Sequence, residues 1–133
     1  AADFTIGVKI NPALAAAGSF LADNTSGGEL FKYTNATTIS IKIGGGAIAL
    51  ALDSGSFGDD YLVFTRVSGV LTLWQNGVAQ SGTQTLAGTS LIDTIGIRKT
   101  NVNGFSGTIK EVQIYSSSDA DLTANVNNRL STL

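Results

Sequence analysis

A chain of 133 residues is enough for one compact domain with a sizeable core and leaves no room for a second. Its net charge of −2, with Lys and Arg scattered from Lys9 to Arg129, supplies no basic field for DNA or RNA, and no run of about 18 apolar residues supplies a membrane-spanning helix. Cysteine and histidine are both absent, which removes disulfides, thiolate or imidazole metal sites and the common nucleophile–base pairs.

From the N-terminus, Phe4, Ile6, Val8 and Ile10 alternate with Thr5, Gly7 and Lys9, the period of a strand with one buried face, and Asn11-Pro12 ends it. Ser19–Ala22 and Glu29–Tyr33 are shorter strands around the turn sequence DNTSGG. Ile39, Ile41 and Ile43, then Ile48, Leu50 and Leu52, make a second hairpin across Gly44-Gly45-Gly46. The polar loop Asp53–Asp60 leads into Tyr61–Val67 and the leucine strand Val70–Gln75, with Ser68-Gly69 between them and Asn76-Gly77 after; Asn-Gly supplies the positive φ angles of a tight hairpin turn. Weaker strands are expected at Val78–Gln80 and around Ile92, Ile95 and Ile97. Thr108–Tyr115 is the last long one, where the parity change between Ile109 and Val112 predicts a bulge. Ser118–Asp121 has capping-box spacing, and Leu122, Val126, Leu130 and Leu133 follow at helical spacing, predicting a helix near Asp119–Leu130 that caps one end of the fold.

Short strands with Gly-rich turns and a single helix predict an all-β, two-sheet antiparallel sandwich spanning 1–133. The core expected from the alternation is Phe4, Ile6, Ile41, Leu50, Phe64, Leu73, Ile109 and Ile114. The stretches Asp3-Phe4-Thr5-Ile6 to Pro12, Leu62–Gly77, Gly104–Tyr115 (GFSGTIKEVQIY) and Leu122–Leu130, in that order, resemble the concanavalin A-like lectin/glucanase superfamily and in particular its laminin-G-like jelly rolls. That resemblance implies a jelly roll. It also implies that a strand usually found before the Asp-Phe-Thr motif is missing, so an open edge is expected near Ala1–Ile10, one that a neighbouring chain could complete by strand addition. The sequence contains no methionine, which fits a chain that begins after initiator removal, after processing or inside a longer polypeptide.

Glucanases of this superfamily use clustered carboxylates, whereas Glu29 and Glu111 are the only glutamates here and lie far apart in sequence, so no enzymatic activity is expected. The resemblance makes calcium the metal to weigh: Asp53, Asp59 and Asp60, or Asp23 with Asn24, offer hard oxygen ligands, although Asp in Gly/Ser loops commonly shapes turns instead. Trp74, the sole tryptophan, is either a packing residue or a platform for a sugar ring with Tyr33 and Tyr61 beside it. Asn24-Thr25-Ser26 and Asn35-Ala36-Thr37 match the N-glycosylation acceptor without deciding anything.

Charged residues are 14% of the chain against about 25% in an average globular protein, an exterior suited to close protein neighbours. The function expected on this footing is a non-catalytic structural or adhesion module of a virion, such as a capsid decoration protein or tail-fibre domain, acting through other protein subunits. The alternative is an extracellular carbohydrate-binding module with a glycan partner. Neither reading calls for a nucleic acid, a membrane or a cofactor other than calcium.

Overall fold

The computed structural model describes residues 2–13, 18–24, 29–56, 58–98 and 104–133. In chain order the elements are β1 (Phe4–Pro12), β2 (Ser19–Ala22), β3 (Leu30–Asn35), β4 (Thr38–Ile43), β5 (Gly46–Ala51), β6 (Asp60–Val67), β7 (Val70–Gln75), β8 (Val78–Thr85), β9 (Thr94–Ile95), β10 (Gly107–Tyr115) and α1 (Ala120–Ser131). The strands form two five-stranded sheets, β10-β1-β6-β7-β8 and β5-β4-β3-β2-β9, paired antiparallel throughout. The expected jelly-roll sandwich with one C-terminal helix is therefore the fold.

Local chemistry explains the hairpins. Ser68-Gly69 (φ 50° and 84°) and Asn76-Gly77 (φ 50° and 82°) both hold the left-handed conformations of a two-residue turn, whose twist matches that of the flanking strands. Inward positions alternate as the sequence predicts: Ile39, Ile41 and Ile43 of β4 and Leu71 and Leu73 of β7 are fully buried. Between the sheets Phe4, Phe20, Phe31, Tyr33, Phe64 and Phe105 form an aromatic cluster, with Phe31 and Phe64 edge to face at 5.1 Å. The bulge is present too: Lys9 pairs with Glu111 and Ile10 with Ile109, leaving Lys110 as the extra residue of β10.

The structure departs from the sequence reading in several places. β1 is not an edge. It lies between β10 and β6, with Thr5 opposite both Tyr115 and Thr65, so its ladder is filled on both sides and no neighbour can add a strand there. Of the expected core, Ile109 is only partly buried against it, and Ile114 is 52% exposed. Ile114 pairs with inward-facing Ile6, but β10 is an outermost strand, and only the two-residue β9 ends the opposite sheet on that side. The helix does not cap an end. It lies on the outer surface of the first sheet, where Val126 and Leu130 bury against Val63, while Leu133 is 40% exposed. Gly7 makes this approach possible, since a Cβ there would overlap Val126 and stand 3.0 Å from Leu130 Cδ1. The N-cap is Asp119 rather than Ser118, its carboxylate accepting from the Leu122 N–H at 2.7 Å. The strand expected at Val78–Gln80 runs on to Thr85, whereas the one expected around Ile92–Ile97 shrinks to Thr94–Ile95.

Candidate ligand-binding groove

The structure separates the residues singled out in the sequence. Tyr33 is a core residue, not a surface platform. It is fully buried, its hydroxyl lies 3.4 Å from Asp60 Oδ2, and burial, reinforced by the Asp60 charge, pushes its pKa well above the ordinary phenol value. Asp60 points inward as the hub of a buried polar cluster, accepting also from Ser56 Oγ at 2.5 Å, Gln75 Nε2 at 3.0 Å and Asn76 Nδ2 at 3.1 Å. Its neighbour Asp59 points outward to Lys9 at 3.3 Å and Lys110 at 3.5 Å, and the Lys9 hydrogen bond, outweighing some desolvation, holds its carboxyl below the usual range. Asp53 accepts from the Ser81 N–H and hydroxyl at 2.8 and 2.7 Å, Asp23 is buried, and exposed Asn24 donates its backbone N–H to Asp93. The five calcium candidates are thus used one by one in turns and pairs, and among the described residues no three acidic side chains gather around a common point.

Trp74 and Tyr61 do come together. Trp74 projects from β7 on the outer face opposite Val63, and Tyr61 projects from β6 one pleat away, so both pack at the margin of the small core beneath α1. Packing is therefore part of Trp74's role. Beside them, helix and sheet leave a groove of about 350 Å³, lined by Tyr61, Trp74, Gly77 of the β7–β8 turn, and the Ala120, Thr123, Ala124, Asn127, Asn128 and Ser131 face of α1. Its volume falls at the lower end of the range for small-molecule sites, about 300–1,000 Å³.

Two polar atoms of these residues, Trp74 Nε1 and Asn127 Oδ1, are closed to solvent and have no hydrogen-bond partner among the described residues. The other end of the Asn127 amide is anchored, with Nδ2 donating to the Thr123 carbonyl at 3.0 Å. The Lys9 ammonium stands 5.5 Å from the Tyr61 ring centre and is paired with Asp59. The sequence reading found the aromatic wall but missed the helical one. Its signal is a run of small residues, Ala120, Thr123, Ala124, Asn127, Asn128 and Ser131, whose spacing of three and four makes a second stripe beside the apolar one.

No protein-family model and no curated protein sequence matches the chain. Solved structures do. The NanB sialidase from Streptococcus pneumoniae, in complex with a substituted ethanesulfonate, aligns with the whole chain at 17% identity and a TM-score of 0.66. A point mutant of the same sialidase aligns at 17% identity and a TM-score of 0.61. The chain spans about a quarter of that sialidase, 24% of its length. Sheep galectin-11 in complex with glycerol aligns over 86% of the chain at 12% identity and a TM-score of 0.47, too low to argue from. At these identities the likeness is one of architecture, the two-sheet antiparallel β-sandwich already described.

Proposed function

We propose that this chain is a non-catalytic carbohydrate-binding module whose ligand sits in the groove between α1 and the outer face of β6 and β7. The observation that carries the reading is the composition of that groove: two aromatic side chains on one wall and small, mostly polar side chains on the other. Aromatic surface with a few placed hydrogen-bonding groups is what a sugar requires, because its ring faces are apolar and its edges are hydroxyls. The shared fold of a sialidase segment supports a saccharide ligand without specifying one. A laminin-G-like subclass is the finer assignment we propose within that fold, on the order of the sequence motifs.

The reading is non-catalytic because both glutamates are occupied elsewhere. Glu29, just before β3, is buried and accepts from the Leu91 N–H at 2.6 Å, while Glu111 of β10, in the other sheet, is paired with Arg129 at 2.6 Å. The reading as a virion assembly module keeps its weakly charged exterior but loses the open N-terminal edge near Ala1–Ile10, because β1 is paired on both sides. The test is direct: Trp74 is the only tryptophan, so a ligand entering the groove should change its fluorescence during glycan titration. A glycan array on which nothing binds, together with unchanged emission across the titrated sugars, would overturn the proposal.

A further inference from the structure

We propose that the chain associates with a second copy of itself along the outer edge of β10, the two strands pairing antiparallel about a two-fold axis at Gln113. The two flanks of the sandwich are finished differently. Where β5 and β8 end the sheets, Asp53 accepts from the Ser81 N–H and hydroxyl and gives its own N–H to Gln80 Oε1, and the apolar residues there, Leu50 and Leu86, are buried. On the opposite flank β10 and β9 end the sheets, and Ile114 and Ile95 stay 52% and 57% exposed. Ile114 does so although it faces the interior opposite Ile6, above a cleft that it shares with Phe4, Ile6 and Ile92. What its side chain lacks is a neighbour on the outer side of β10.

The ladder shows which backbone groups face that side. The Asn76 N–H donates to the Tyr61 carbonyl, so odd-numbered residues of β6 bond to β7 and even-numbered ones to β1. Phe64 therefore bonds to Ile6, which leaves Thr5 and Gly7 turned toward β10, where Tyr115 and Gln113 answer them. Val112 and Ile114 point their N–H and C=O groups the other way, where no described strand pairs with them.

Charge, proline and bulges are the devices that blunt such an edge. β10 has its bulge at Lys110, but beyond it Val112–Tyr115 carries neither charge nor proline. The bulge also fixes the register. The regular stretch is Glu111–Tyr115, and pairing it with itself over its whole length puts Gln113 on the axis. Val112 then exchanges both backbone bonds with the partner's Ile114, apolar side chains together on the inner face, and Glu111 stands opposite the partner's Tyr115, so no like charges meet. An axis at Val112 would draw the bulged Lys110 into the ladder, and one at Ile114 would run past Tyr115, where the strand ends. Because the axis stands perpendicular to the sheet, α1 of both copies lies on the same outer face. On the carbohydrate reading above, two grooves would then address one glycan-bearing surface together, which multiplies weak single-site affinities.

The experiment is sedimentation and amide NMR of the whole chain from about 10 μM to about 1 mM. The mass should rise toward that of a dimer, and the Val112 and Ile114 amides should gain exchange protection with concentration while Gln113, already bonded to β1, stays as it is. Ile114→Lys should raise the dissociation constant at least about tenfold with little change in the Tm of the monomer, since the side chain it replaces is half exposed. Gln113→Cys gives the chain its only thiol. Across a non-hydrogen-bonded pair the Cα atoms stand about 4.5 Å apart, within disulfide reach, so oxidation with glutathione disulfide should link two copies, whereas Thr108→Cys, beyond the bulge, should not. Should Ile114→Lys fold poorly, the cysteine variants carry the test. A monomer over the whole range, unaltered protection at Val112 and Ile114, an unchanged dissociation constant in a folded Ile114→Lys, or equal cross-linking at positions 113 and 108 overturns the proposal. None of these measurements involves a glycan, so dimerisation and carbohydrate binding stand or fall separately.

Discussion

Asp60 shows how much one side chain organises here. Its carboxylate takes hydrogen bonds from Ser56, Gln75 and Asn76 and stands beside the Tyr33 hydroxyl, joining the β5–β6 loop, the β7–β8 turn and β3. Asp60→Ala would leave several buried donors unsatisfied, and we expect a loss of about 3 kcal/mol or more in urea unfolding. Leu73 is fully buried, and Leu73→Ala should cost roughly 2–5 kcal/mol by the same measurement. Gly7→Ala should cost about 1–3 kcal/mol, because the added methyl must displace Val126 or Leu130. Residues that form the core by alternation were legible in the sequence, as was Trp74 with Tyr61. Asn127 was not, since an asparagine in a helix announces nothing until a sheet is known to lie beneath it. Tyr33 misled because an aromatic reads alike as surface platform or core, and only burial by the opposite sheet distinguishes them.

Among the elements, α1 is held by a cap, a short apolar stripe and an ion pair. Asp119→Ala should lower stability by about 1 kcal/mol. The Arg129–Glu111 pair joins the helix to β10, and Arg129, followed by Gln113, holds the Glu111 carboxyl below its ordinary pKa. A carboxylate whose pKa is depressed on folding stabilises above its unfolded value and loses that contribution as pH falls through the folded one. The Tm difference between wild type and Glu111→Gln should therefore be present at neutral pH, begin to shrink below about 4.5 and vanish at lower pH. A difference that grows with acidity would show the pair plays no such part. The strands themselves and their hairpins were readable from period and turn chemistry. The position of β1 was not, because alternation says which face is buried and nothing about which strands flank it. One hint was available: Gly7 and Lys9 lie on the face that should meet solvent, and both are buried, Gly7 under the helix and Lys9 against Tyr61 and Asp59.

At the scale of the whole molecule, each sheet recruits strands from distant parts of the chain, and the first is assembled across nearly its full length. The first of these strands is the one completed latest: Thr5 waits for Thr65 on one side and Tyr115 on the other, while β2 to β5 can close as a local meander. Such a high contact order places refolding in the millisecond-to-second range, and stopped-flow traces in microseconds would contradict the topology. Until residue 115 has been made, the segment FTIGVKI lacks one of its two strand partners, with Thr5, Gly7 and Lys9 the interruptions to its appetite for wrong partners. A fragment ending at residue 104 should accordingly be protease-sensitive throughout β1, and extending it through residue 133 should convert it to the resistant form in one step.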